Sequence, residues 1–200
     1  MGDSADEKRA IRRAELQRYA RVVLIKAPNK CEAMYDILLK AVSLAGRLRD
    51  AASAITDDLE AVMIGEDMLG GRGKGKHYCG SDKAYRGADG FKEELRYGDP
   101  VAKTGEDTGF QVQHAIAGLV IGFRHGAVVQ AFVKQREAEP QDDRLYDATF
   151  PVGEWLRGAG SEAIYDLPER MRRAVCKTNA GNTALGHKTG MIRRAGQRQA

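Results

Sequence analysis

An unbroken heptad seam between residues 34 and 62 limits what this chain can fold into. Met34, Leu38, Ala41, Ala45, Leu48, Ala52, Ile55, Leu59 and Val62 follow one another in alternating steps of four and three. Strands repeat every second residue, so this spacing predicts a helix, one long helix over roughly 30–68. Much of the seam is alanine, which lets a partner helix approach closely. Residues 4–26 supply that partner, with Leu16, Tyr19, Ala20, Val23 and Ala27 on one side. Ser4 followed three positions later by Glu7 reads as a capping box at its start. Pro28-Asn29 breaks it, and so short a connection predicts an antiparallel hairpin over 1–68. The seam reads first as a packing scaffold, with a dimerisation surface as the alternative.

A third strong helix begins near 109, in "GFQVQHAIAGLVIGFRHGAVVQAFVKQRE". Gly118, Gly122 and Gly126 recur at four-residue spacing inside it. Each costs up to about 1 kcal/mol in a helix interior, so three in register predict another backbone pressed against that face. A membrane helix can show the same pattern. Arg124 and His125 lie mid-segment, however, and Gln111, Gln113 and His114 lie at its start. Charges at bilayer depth are expensive, which favours a buried helix of a compact bundle over a pore-forming role. Helix signals resume after Pro140, where Pro151 is expected to interrupt them. They end with "LPERMRRAVCK", in which Pro168 suits a first turn.

Strand signals are nearly absent, so the expected fold class is all-α, with five or six helices. The expected organisation is a helical hairpin (1–68), a Gly-rich basic loop (69–89), a helical bundle (90–176) and a basic C-terminal tail (177–200).

With 42% apolar and 30% charged residues, the chain can bury a globular core. No run of about 18 apolar residues exists, so no transmembrane segment is expected. The start, Met-Gly-Asp-Ser followed by charged residues, carries no apolar signal segment. A cytoplasmic protein as synthesised is therefore expected, with delivery elsewhere left open. The three cysteines, Cys31, Cys79 and Cys176, are odd in number and widely spaced. That predicts reduced thiols, and no closely paired ligands suggest a metal site. No cofactor is expected.

Charge is uneven along the chain. Residues 1–30 hold eight Lys/Arg and four Asp/Glu, a net +4, and residues 170–200 hold eight Lys/Arg and no acid. The span between them is net −8. Such basic ends are either solvated or dock on an acidic partner such as nucleic acid or protein.

The stretch "GGRGKGKH", residues 70–77, matches a phosphate-binding P-loop up to its last letter. A P-loop needs a buried strand before it, a helix after it and a Ser/Thr for magnesium. Here a heptad helix precedes, loop-like residues follow, and His77 takes the place of the hydroxyl. The nucleotide reading therefore fails on context. Arg72, Lys74 and Lys76, with Arg193 and Arg194 of the tail, remain candidates for gripping a polyanion.

Chemistry is best placed at the start of the glycine-rich helix. His114 lies one turn after Gln111 on the same face, and Gly118 one turn further leaves space beside it. A neutral histidine there can act as a general base near physiological pH. An orienting carboxylate can come from Glu93, Glu94 or Asp99, or from Glu137, Glu139, Asp142 or Asp143. A core histidine bonded to a neighbouring helix is the competing reading. His125 is about 16 Å further along the helix, too far to share a metal with His114.

"GFKEEL" (90–95), "QVQH" (111–114), the spaced glycines and "DDRLYDATFPVGEWL" (142–156) together resemble a helical domain found at the ends of bacterial secreted and polymorphic toxin-type proteins. The resemblance covers about a third of the chain. It implies Glu94, Gln111, His114 and Asp143 as site residues. It departs at Ala115, where an aromatic often follows the motif histidine.

The resulting expectation is a small effector-like hydrolase with a His/carboxylate acid–base pair and an unknown substrate. The alternative is a non-catalytic binding or assembly protein whose basic termini contact an acidic partner, with a helix-mediated oligomer possible.

Overall fold

The computed structural model describes residues 4–65, 86–96, 110–126 and 140–177, the first three residues of the last span by their backbone only. Over these residues the chain is an all-α bundle of six α-helices. They are α1 (Ala5–Lys26), α2 (Lys30–Ala45), α3 (Ala51–Leu59), α4 (Gln111–His125), α5 (Pro140–Gly158) and α6 (Leu167–Val175). A wider π turn, Glu60–Ile64, continues α3, and tight 3-10 turns cover Glu93–Leu95 and Ala163–Asp166. One apolar core runs from Leu16 in α1 through all six helices to Cys176.

The first helix starts at Ser4 as its capping box predicts, and Asn29, expected only to break the helix, also caps α2. Ser4 Oγ accepts the Glu7 N–H at 3.2 Å, and Asn29 Oδ1 accepts the Glu32 N–H at 2.9 Å. Each satisfies an N–H that the helix itself leaves unpaired. Leu16, Ala20 and Leu24 of α1 are buried. The chains run antiparallel: the Lys30 ammonium donates to the Leu24 carbonyl, and Lys40 pairs with Glu15 at 2.5 Å.

The single long helix expected over 30–68 is corrected to two helices separated by a bend at 46–50. Asp58 shows why. It is almost fully buried and is held by Arg12 and by Arg13, the latter at 3.1 Å. In a straight helix Asp58 would lie about 27 Å beyond Lys40, whereas Arg12 lies only about 4.5 Å beyond Glu15 on α1. The chain must fold back for the three charges to meet. The heptad phase survives, with Ile55, Leu59 and Val62 buried, while Leu48 in the bend is 43% exposed.

The expectation of reduced thiols is also corrected. Cys31, at the start of α2, is disulfide-bonded to Cys176, just after α6, with the Cα atoms 5.8 Å apart. Segment 89–92 is stitched between the same two ends. Asp89 O accepts from Cys31 N at 3.2 Å, Lys92 N donates to Val175 O at 2.9 Å, and Lys177 N donates to Gly90 O at 2.9 Å.

Two further differences concern helix ends. Pro151 does not interrupt α5, which runs through it. Proline forfeits the bond to the carbonyl four residues earlier, and both Pro151 and Asp147 are solvent-exposed, so water can serve that carbonyl. Conversely, Gly126 is a helix stop and not a third packing glycine. Its φ is +63°, a left-handed conformation that costs glycine little, and its N–H closes the helix on Gly122 O at 3.1 Å.

Asp36, half-buried on α2, sits among Tyr19, Glu32 and Tyr35. Burial, and secondarily the charge of Glu32, push its carboxyl above the ordinary range. A raised folded value means that ionised Asp36 opposes folding above that value and ceases to as pH falls through it. Asp36→Asn is therefore expected to stabilise the protein at pH 7, by up to about 1 kcal/mol given the partial exposure. In urea unfolding, the advantage over wild type should shrink as pH falls toward 4. An unchanged or lowered midpoint at pH 7 would contradict it.

Candidate active site

The site is positioned by one helix pair. Gly118 of α4 faces Tyr146 and Thr149 of α5, Gly122 faces Phe150, and Gly126 faces Glu154 and Arg157. Each four-residue step on α4 is matched by a four-residue step on α5, so the two helices run parallel. The approach is backbone to backbone. A Cβ on Gly122 would lie 2.5 Å from Phe150 O, and one on Gly153 would lie 2.5 Å from Phe123 N. The glycine pattern at 118 and 122 thus marks a close helix crossing, and α5 supplies a glycine of its own.

This register has a consequence one turn earlier. His114 precedes Gly118 by four residues, and Asp143 precedes Tyr146 by three. The parallel register therefore brings the His114 and Asp143 positions to the same level, beside the N-terminal ends of both helices. Gln111, one turn before His114, is fully buried, and its Nε2 donates to Leu95 O at 2.7 Å. That bond ties the Glu93–Leu95 turn to the start of α4, and the same turn packs against α5. Three separate stretches of sequence thus meet at one end of the α4–α5 pair.

Within the turn, the two glutamates differ. Glu93 is engaged by Lys177 and by Arg96 at 3.4 Å, and the Lys177 contact holds its carboxyl below the ordinary range. Glu94 is solvent-exposed. Of the two, Glu93 belongs to the latch that fastens the end of α6.

Unsatisfied polar atoms collect at this end of the molecule. Among the described residues, the buried side-chain polar atoms without a hydrogen-bond partner are Gln111 Oε1, Asp143 Oδ1 and Arg86 Nε. Such orphans are rare in folded proteins, and each calls for an explanation. Arg86 reaches the site through Phe110, the residue before α4. Its guanidinium lies 5.0 Å from the Phe110 ring centroid, and Gly87 forms a backbone bridge with Phe110. Sequence reading missed Arg86, because one arginine among loop glycines carries no periodic signal.

Of the sequence-predicted residues, Gln111 is tied to the turn bearing Glu94 by its bond to Leu95 O, and the helix register sets the His114 and Asp143 positions at one level. Arg72, Lys74, Lys76, Arg193 and Arg194 lie outside the described residues, as do Glu137, Glu139 and Asp99. His125 is exposed at the opposite end of α4. Among the described residues, no three His, Cys, Asp or Glu side chains gather as a metal-binding set. None of the described helices is long and apolar enough to cross a membrane.

Compared with protein-family models, with curated proteins and with solved structures, the chain matches none. The functional reading therefore rests on the geometry of this site.

Proposed function

We propose that the protein is a small effector-like hydrolase whose acid–base pair is His114 with Asp143. The observation that supports the reading is the parallel α4–α5 register, which brings the His114 and Asp143 positions to one level near two helix N-termini. A histidine opposite a carboxylate can relay a proton from an attacking water to a leaving group. Gln111, anchored on Leu95 O, presents its amide oxygen to position a substrate. Glu94 serves as a second acid at the rim. The positive ends of α4 and α5 favour negative charge that develops there. The Cys31–Cys176 disulfide supports action in an oxidising compartment, since such bonds are rare in a reducing cytosol. That suits delivery out of the producing cell and the resemblance to toxin-type domains.

A second reading is supported by α1. Ile11, Val22 and Ile25 are more than half or about half exposed, with Arg18 and Arg21 beside them. A basic and apolar face of this kind suits a binding protein that docks on an acidic partner.

Expression in bacteria separates the two. Wild type directed to cytoplasm or to periplasm is expected to be toxic in one compartment. His114→Ala, folded by circular dichroism, is expected to lose at least about a hundredfold of that effect, the usual scale for a general base. Equal toxicity of the folded variant would remove the hydrolase reading and leave the α1 face as the working surface.

A further inference from the structure

We infer that Arg86 is the oxyanion-recognising residue of this site, so that its substrate carries a carboxylate or a phosphate close to the group handled by His114. The inference rests on the location of the site proposed above and names the chemistry of its ligand. Three observations carry it.

First, Arg86 Nε is buried and has no hydrogen-bond partner. A buried cationic N–H left unpaired costs more than a neutral one, so a fold retains it where a ligand completes it. Second, the group is held in place. The guanidinium lies over the Phe110 ring at 5.0 Å, and the Gly87–Phe110 bridge fixes the adjoining backbone to the start of α4. The stacking covers one face of the guanidinium and leaves its in-plane N–H donors for a ligand. A planar guanidinium matches the two oxygens of a carboxylate or phosphate, which an ammonium does not. Third, the other two orphans are acceptors. Gln111, with no exposed surface, offers Oε1, and Asp143 offers Oδ1. A cationic donor with two acceptors fits a ligand whose acid group lies near hydroxyl or amide donors. It does not fit a purely apolar ligand or a free cation. Arg86 and Asp143 do not satisfy one another in the structure, although their charges are opposite.

Arginine Nε–H groups give individual signals in the NMR spectrum of the 15N-labelled full chain, and Arg86→Lys identifies the one from Arg86. Inorganic phosphate and, separately, sodium acetate are titrated at constant ionic strength set with sodium chloride. The Arg86 signal is expected to move saturably with at least one of them, with a Kd on the order of millimolar. Saturation by phosphate but not acetate assigns a phosphate-bearing substrate, and the reverse assigns a carboxylate. Arg86→Lys is expected to lower toxicity about tenfold or more with its melting temperature unchanged.

A signal unmoved by both anions overturns the inference. So does uniform movement of all arginine signals, which reports an adventitious ion only. Movement of the signal in Asp143→Asn without added anion would mean that Arg86 pairs internally in solution, and also overturns it. The two proposals fail separately: anion binding can persist in His114→Ala whether or not that variant is toxic.

Discussion

Reduction of the Cys31–Cys176 disulfide is expected to destabilise the protein by about 4–5 kcal/mol. The bond spans 145 residues, and the loss of unfolded-chain entropy on closing a loop grows with the logarithm of its length. Against a typical stability of about 5–15 kcal/mol, this is a large share of the total. The bond also joins ends that the rest of the fold relies on. Cys31 opens α2, Cys176 follows α6, and segment 89–92, which leads into the Glu93–Leu95 turn of the site, is hydrogen-bonded between them. Urea unfolding of the oxidised protein, of the same protein in reductant and of the Cys31→Ser/Cys176→Ser double variant measures the effect. The last two should agree, both well below the first. Coincident midpoints for all three would mean that the bond contributes nothing. A site that depends on this bond works best where thiols oxidise, so reductant should lower any activity as well as stability.

Gly153→Ala is expected to cost about 3 kcal/mol, against the usual direction for an alanine placed in a helix. Alanine is the better helix former by about 1 kcal/mol. At Gly153, however, the new methyl would meet Leu119 O, Phe123 N at 2.5 Å and Gly122 C at 2.8 Å, all backbone atoms of α4. Backbone cannot rotate out of the way as a side chain can, so the helices must separate and the packing along α4 and α5 loosens. Gly158→Ala is the control, because nothing lies within 4 Å of a Cβ there. It should be neutral within about 0.5 kcal/mol. Equal stability of the two variants would show that α4 and α5 are not in close backbone contact. The register that aligns His114 with Asp143 would then lose its basis. Because the crossing fixes that register, Gly153→Ala should also lower activity in whatever fraction stays folded.

Much of the helical content was legible in the sequence because its causes are local. Ser4 caps where expected, and Asn29, read only as part of a break, caps α2 for the same reason: a short oxygen-bearing side chain reaches an unpaired N–H a few residues away with no help from the rest of the chain. Gly118 and Gly122 announced a close backbone neighbour, because glycine is retained in a helix where a side chain does not fit. Gly126 shows the limit of that argument. Its spacing matched the other two, yet its left-handed backbone makes it the stop. A residue type reports that a special demand exists, not which demand it is.

The sequence by itself determined an all-α chain, the start of its first two helices and the residue types from which a site could be made. Tertiary structure alone decided where those residues meet. The heptad seam reports the period of an apolar face, and a bend that preserves the phase leaves the period unchanged. The break at 46–50 is set instead by Asp58, which must return to Arg12 and Arg13. Cys31 and Cys176 lie at opposite ends of the described fold in sequence, so only packing could pair them and leave Cys79 out of that bond. Likewise, nothing in "QVQH" or "DDRLYD" specifies that α4 and α5 run parallel and in step. Contacts between distant residues depend on how whole helix faces fit together. That fit is a property of the packed core and not of any window of sequence.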